Sequence, residues 1–190
     1  MRTLYRVSSP MLLLVAYTAN AADPLANGIG GDVTTTAGSS WSIEDGVLIP
    51  ERGDERVYVV TSARYANLEI TLEVNPDAAT NSGVFTRCQD PETITPDNCY
   101  EFNIWDAHPN QEWRTGAIVP FAPPTAMVDT EGKWNAIRIR LEGSRLRVWV
   151  NGILTNDVEH DKWAEGHVAL QYGGSGGMVK FRNIRIEELP

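Results

Sequence analysis

Polar and apolar residues alternate between positions 100 and 105, in Tyr-Glu-Phe-Asn-Ile-Trp. Successive side chains of a strand point to opposite faces, so Glu101, Asn103 and Trp105 share the face turned away from the core. Aromatic rings stack on the C–H surface of a pyranose, and amides and carboxylates hydrogen-bond its hydroxyls. The pattern therefore predicts a site for a small carbohydrate.

The same counting assigns four more side chains to outward faces of other predicted strands. They are Arg87, Trp149, His167 and Gln171. A shared site requires these strands to be neighbours in one sheet, which alternation alone does not establish. The alternative interpretation is that each is an ordinary surface residue.

Glu101 is the predicted catalytic residue, as general acid or base. A carboxyl group on a largely apolar, aromatic face loses hydration, and this raises its pKa toward neutrality. The alternative role for Glu101 is structural, as an ion-pair partner of Arg87.

A divalent metal is a weaker hypothesis. Asp106, His108 and Glu112 are close in sequence and have side chains that ligate metals. Their spacing matches no defined metal motif, and they fall in a predicted loop.

The elements that position these residues are strands, and no window has a helical period. Residues 68–74 and 136–141 alternate strictly, and Asn151-Gly152 is one of several hairpin turn sequences. We predict an all-β fold, a two-sheet antiparallel sandwich of the jelly-roll type. Its strands are expected at 41–43, 47–49, 56–61, 68–74, 83–88, 99–106, 136–141, 145–150, 166–172 and 178–187. Residues 107–133 are the longest irregular stretch, and long loops on β scaffolds often carry function.

The N terminus has the features of a signal peptide spanning residues 1–21. Arg2 and Arg6 precede an apolar run, and Ala19-Asn20-Ala21 is a small-x-small cleavage pattern. A membrane anchor is the alternative, but the run is shorter than the roughly 20 residues that span a bilayer. We expect an exported protein, periplasmic or secreted. Residues 22–40 are expected to be a poorly ordered segment before a single domain at 41–190.

Export bears on the two cysteines, because disulfides persist in oxidising compartments. Cys88 and Cys99 are predicted to pair across a polar loop. A two-cysteine metal site is the alternative, and it lacks further Cys or His ligands nearby.

The charge balance limits the partners of the chain. With 16 basic and 25 acidic residues, it has a formal net charge of −9. Nucleic acids and anionic membranes bind clustered Lys and Arg, so neither is an expected partner.

Seven stretches in order resemble the family called DUF1080, or the 3-keto-disaccharide hydrolase domain. They are residues 81–87, 100–106, 115–118, 132–135, 148–152, 166–171 and 181–186. The resemblance implies a concanavalin A-like jelly roll with a ligand groove on its concave sheet, and cleavage of glycosides oxidised at C3. It also implies that Glu101 is the acid or base, with Arg87 and Gln171 as polar binding partners. The resemblance also allows for a divalent metal at the enolate, with no ligands assigned in this chain.

The chain departs from the family pattern in two places. The usual opening stretch is eroded to Gly38-Ser-Ser-Trp41, and Asn103 stands where the family has Gln. The competing interpretation is a non-catalytic carbohydrate-binding module of the laminin-G or concanavalin type. A structural or partner-binding sandwich is a third.

Overall fold

The computed structural model describes residues 21–36, 40–174 and 176–190. These residues form 13 strands in two antiparallel sheets, which confirms the predicted sandwich. The predicted signal peptide lies outside the described residues except for Ala21. No helix in the described part of the chain is long and apolar enough to cross a membrane.

One sheet has six strands in the spatial order β1-β4-β12-β6-β7-β8. Their bounds are β1 Val33–Thr35, β4 Val57–Thr61, β12 His167–Tyr172, β6 Ser82–Cys88, β7 Tyr100–Ile104 and β8 Ile118–Val119.

The other sheet has seven strands in the order β11-β10-β9-β5-β13-β3-β2. Their bounds are β11 Ile153–Glu159, β10 Arg145–Val150, β9 Asn135–Glu142, β5 Leu68–Pro76, β13 Val179–Glu188, β3 Val47–Pro50 and β2 Trp41–Glu44.

The main core fills the space between the two sheets. In β5 the alternate residues Leu68, Ile70 and Leu72 are buried and lie directly opposite Leu141, Ile139 and Ile137 of β9. Cross-strand pairs of β-branched and aliphatic side chains stabilise such a sheet. Val84, Phe102 and Leu170 of the six-stranded sheet join the same core. The residues next to each of them on its strand therefore point to the outer face.

The domain begins earlier than the predicted boundary at Trp41. β1 pairs with β4, and Ala22 forms a bridge with Ile186 at the other end of the chain. Residues 22–36 are therefore part of the sandwich, and the expectation of a poorly ordered segment is wrong for them.

Strand β11 was not predicted because its burial pattern does not alternate. Ile153 and Leu154 are exposed, whereas Thr155 and Asn156 are buried. The two polar side chains donate hydrogen bonds to the carbonyl of Gly116, at 3.3 and 2.8 Å. Backbone pairing with β10 and these polar contacts with the neighbouring loop, rather than alternating apolar burial, hold this edge strand.

Residues 107–133 are mostly irregular, as expected, with a short 3₁₀ turn at Gln111–Trp113 and the strand β8 within them. Asp106 anchors this stretch at both ends. Its carboxylate accepts hydrogen bonds from Thr115 Oγ1 and from the backbone N–H groups of Thr130 and Glu131.

Candidate functional site

A row of four residues crosses the outer face of the six-stranded sheet. Tyr58 of β4 lies opposite Gln171 of β12, Gln171 lies opposite Gly83 of β6, and Gly83 lies opposite Asn103 of β7. In the next row, Phe85 lies opposite Glu101. The structure thus brings together Glu101, Asn103 and Gln171, three of the side chains selected from the sequence.

Glu101 is buried without a partner. Its exposed fraction is 8%, and no described residue donates a hydrogen bond to its carboxylate. A Cβ added at Gly83 would stand 3.5 Å from Glu101 Oε1 and 3.3 Å from Phe85 Cε2. The carboxylate therefore lies over the bare backbone of Gly83, near the edge of an aromatic ring.

This setting tunes the acidity of Glu101. Burial raises the pKa of the carboxyl group to about 7, and the positive charge of Arg56 lowers it in part. A carboxyl group with this pKa is present in both protonation states near neutral pH, so it can accept or donate a proton. The increase predicted from the apolar face is present.

Two amide oxygens beside Glu101 lack hydrogen-bond donors. Asn103 donates its Nδ2 to the carbonyl of Trp113, and its Oδ1 has no partner. Gln171 donates its Nε2 to Tyr58 Oη at 3.1 Å, and its Oε1 has no partner. A buried acceptor without a donor is unfavourable, so a ligand hydroxyl that donates to either oxygen would be bound favourably.

Trp105 lies at the end of β7, on the side of the irregular stretch 107–133. Its ring is half-buried and contacts His108 edge-on, with the ring centroids 4.5 Å apart. Its backbone N–H donates to Thr115 Oγ1 at 2.9 Å. Trp105 therefore borders the row of polar residues.

Asp106, His108 and Glu112 do not form a metal site. The Asp106 carboxylate accepts four hydrogen bonds, from the hydroxyl groups of Thr115 and Thr130 and from the backbone N–H groups of Thr130 and Glu131. His108 Nδ1 is 2.7 Å from the carbonyl oxygen of Asn110. The described residues contain no group of three His, Cys, Asp or Glu side chains placed to hold a metal. The predicted ligand set does not fit a metal ion.

Arg87 does not point to the outer face, and this prediction is wrong. Arg87 has a positive φ of 49° in a bulge of β6, where the pairing with β12 shifts register. Its guanidinium donates to the carbonyls of Ala66 and Trp163 at the end of the sandwich. Arg87 is 1% exposed, and its guanidinium binds these backbone carbonyls instead of forming an ion pair with Glu101.

Trp149 belongs to the other sheet, so the prediction that it shares the site is also wrong. It lies in β10, on the outer face of the seven-stranded sheet. The guanidinium groups of Arg138 and Arg147 lie 4.4 and 5.7 Å from its ring centroid.

His167 lies in the six-stranded sheet at the opposite end of β12 from Gln171. Four residues of strand separate their backbones by about 13 Å. His167 is opposite Cys88, and its Nδ1 is 2.8 Å from the carbonyl oxygen of Thr61. It is not brought to Glu101.

The predicted disulfide between Cys88 and Cys99 is confirmed. Ile94, in the loop that the disulfide closes, packs with Tyr58, Phe85 and other residues of the outer face. This loop covers the part of the face next to Glu101 and so forms one wall of the site.

Sequence reasoning missed Tyr58 and Gly83. Val57 and Val59 flank Tyr58 and pack against the core, so alternation could have assigned Tyr58 to the outer face. A glycine inside a strand is itself a sign of a close approach by other atoms.

Several solved structures share the fold of this chain. A candidate glycosyl hydrolase from Parabacteroides distasonis is 27% identical over 78% of this chain and 90% of its own, with a TM-score of 0.68. A second from the same organism is 21% identical over 79% and 83%, with a TM-score of 0.69. The carbohydrate-binding module CBM66 of Bacillus subtilis shares the fold, with 16% identity over 83% and 96% and a TM-score of 0.65.

No curated protein sequence matches the chain. The sequence profile of the 3-keto-alpha-glucoside-1,2-lyase-like domain matches residues 24–187, almost the whole described chain. That match confirms the resemblance seen in the sequence motifs: the chain belongs to the 3-keto-alpha-glucoside-1,2-lyase-like family, a carbohydrate-related, glycosyl hydrolase-like group.

Proposed function

We propose that this protein cleaves 3-keto-glycosides on the outer face of the six-stranded sheet, with Glu101 as the general base. The observation that carries the proposal is the buried, unpaired carboxyl group of Glu101 with its pKa raised to about 7. Membership of the lyase-like family and similarity to a candidate glycosyl hydrolase support it.

The chemistry follows from the ketone. A carbonyl at C3 makes the hydrogen on C2 acidic, so a base of moderate strength removes it. The electron pair of the C2–H bond is delocalised toward the ketone as an enolate, and it forms the C1–C2 double bond as the C1–O glycosidic bond breaks toward the leaving oxygen. Addition of water to the unsaturated product would complete a net hydrolysis.

The neighbours of Glu101 suit this substrate. The unpaired oxygens Asn103 Oδ1 and Gln171 Oε1 would accept hydrogen bonds from sugar hydroxyls. The Phe85 ring is 1% exposed, so it lies beneath the site and supplies apolar surroundings to Glu101 rather than a stacking surface. Asn103 and Gln171 are therefore assigned to substrate binding, and Trp105 to the border of the site.

The location of the protein is part of the proposal. A signal peptide cut after Ala21 would release the domain into the periplasm or the medium, where the disulfide between Cys88 and Cys99 is stable. A soluble sugar ligand is consistent with both compartments.

Glu101→Gln tests the role of the carboxylate, because it keeps the shape of the side chain and removes its basicity. We expect turnover of a 3-keto-glucoside to fall by about 10²- to 10⁴-fold, with affinity for the substrate nearly unchanged. Glu44→Gln is the matched control, because Glu44 is exposed on β2 at the edge of the other sheet.

Wild-type turnover by Glu101→Gln would contradict the assignment. Saturable sugar binding by the wild type without turnover of any 3-keto-glycoside would instead identify a carbohydrate-binding module.

A further inference from the structure

Tyr58 lies on the same face as Glu101, on the other side of Phe85. Its exposed fraction is 5%, and its ring meets the Phe85 ring edge-on, with the centroids 5.5 Å apart. β12 and β6 separate the strands of Tyr58 and Glu101, which places their backbones about 14 Å apart. The two side chains therefore flank one stretch of the sheet, and Phe85 lies between them.

The Tyr58 hydroxyl has an unused proton. A tyrosine hydroxyl donates one hydrogen bond and accepts two. It accepts one from Gln171 Nε2 at 3.1 Å. No described residue is positioned to accept the hydroxyl proton, so the proton has no acceptor within the described part of the protein.

The electrostatic setting keeps this proton in place. Burial raises the pKa of Tyr58, the donors from Gln171 and Arg56 lower it, and the charge of Glu101 raises it. Tyr58 is therefore protonated at neutral pH, and the hydrogen bond from Gln171 Nε2 would stabilise negative charge on its oxygen if the proton leaves.

We propose that Tyr58 is the general acid that protonates the leaving glycosidic oxygen, on the side of the substrate opposite Glu101. The inference rests on the proposed function, since it assigns the second proton transfer of the same cleavage. In addition to binding substrate, Gln171 would position the Tyr58 hydroxyl.

The proton and electron balance closes without a co-reactant. Glu101 takes the proton from C2, and the C2–H electron pair forms the C1–C2 double bond as the C1–O bond breaks. The leaving oxygen keeps the C1–O electron pair and takes the proton of Tyr58. The products are an unsaturated 3-ketone and an alcohol, and proton exchange with water restores Glu101 and Tyr58.

Tyr58→Phe tests the inference, because it keeps the ring against Phe85 and removes the hydroxyl. The substrates are 3-keto-glucosides with leaving groups from nitrophenol to simple alkyl alcohols. The alkyl glucosides should lose about 10²- to 10⁴-fold in turnover, and the nitrophenyl glucoside should be nearly unaffected, because nitrophenolate leaves without protonation.

Tyr172→Phe is the matched control. Tyr172 is a buried tyrosine of the same sheet whose hydroxyl donates to the carbonyl of Gly53. Its removal should leave the dependence on leaving group as in the wild type. Gln171→Leu keeps Tyr58 and removes one donor to its hydroxyl, so it should give a smaller loss with the same dependence on leaving group.

The outcomes separate this inference from the proposed function. Equal losses on all leaving groups, or none, in Tyr58→Phe would overturn the general-acid role. If Tyr58→Phe gave such a result and Glu101→Gln still abolished turnover, the proposed function would be supported without the general-acid role of Tyr58. A wild type inactive on the whole series would overturn both.

Discussion

Glu101 shows how the surroundings of a side chain change its acidity. Phe85 and the Gly83 backbone replace water around the carboxyl group, and no described residue compensates its charge with a hydrogen bond. Burial disfavours the charged form of an acid, so the folded protein holds Glu101 more readily as the neutral carboxylic acid. The same effect that prepares the group for proton transfer costs stability when it ionises.

The pH dependence of stability follows from this cost. The pKa of Glu101 is about 7 in the folded protein, against 4.5 ordinarily. The folded state therefore binds the proton more tightly, and its stabilisation is complete at low pH and lost as pH rises through 7. Relative to Glu101→Gln, the free energy of unfolding should fall by about 3 kcal/mol between about pH 4 and pH 8.

Denaturant unfolding of both proteins at each pH measures this difference. Glu44→Gln, with an exposed carboxylate replaced, should follow the wild type. A constant difference between wild type and Glu101→Gln across the range would show that Glu101 is not held in the neutral form.

The sequence allowed the raised pKa of Glu101 to be predicted, because an apolar, aromatic face can be recognised from alternation. It did not allow the direction of Arg87 to be predicted. A bulge with positive φ interrupts β6 at Arg87, and nothing in Val-Phe-Thr-Arg-Cys signals it. One inserted residue changes which face a side chain occupies.

Strand β6 contributes to the site through Gly83, which has no side chain. At Gly83 the strand presents bare backbone between Gln171 and Asn103, and the Phe85 ring and the Glu101 carboxylate occupy the space above it. Gly83 does not have a positive φ, so a side chain there is excluded by space and not by backbone strain.

Gly83→Ala should therefore damage the site more than the fold. Its Cβ would stand 3.3 Å from both Phe85 Cε2 and the carbonyl oxygen of Phe102, so the ring must shift slightly, and the new methyl group would contact Glu101 Oε1 at 3.5 Å. We expect turnover of a 3-keto-glucoside to fall at least about tenfold, equivalent to 1.4 kcal/mol on the barrier, with the β-sheet circular dichroism spectrum retained.

Gly53→Ala is the control, because a Cβ at Gly53 meets no heavy atom within 4 Å. It should keep wild-type turnover. Full activity of Gly83→Ala would show that the close packing over Gly83 does not position Glu101.

The presence of a strand could be predicted where apolar residues alternate, as in β5 and β9. Which strands lie side by side could not be predicted, because pairing depends on contacts between distant parts of the chain. Trp149 illustrates this limit, since its direction was correct and its sheet was wrong. Strand β11 was missed because buried Thr155 and Asn156 hold it by hydrogen bonds.

At the scale of the whole molecule, the two outer faces differ in how their charges are used. On the seven-stranded sheet, arginines and carboxylates pair with one another, as in Arg138–Glu69, Arg145–Asp157 and Arg182–Glu73. Exposed pairs of this kind add little stability, but they leave few unpaired groups for a ligand. The six-stranded sheet instead has Glu101, to which no described residue donates a hydrogen bond, and the amide oxygens of Asn103 and Gln171, which have no partner among the described residues.

In the proposed function the activity belongs to the face with the unpaired groups, and the ketone is the feature that the protein requires of its substrate. A 3-keto-glucoside and its unoxidised parent differ only at C3, so they form a matched pair for the purified protein. Release of the leaving group from each is the most direct measurement. Release from the keto form alone is the predicted result, and equal release from both, or release from the parent alone, would contradict proton removal from C2.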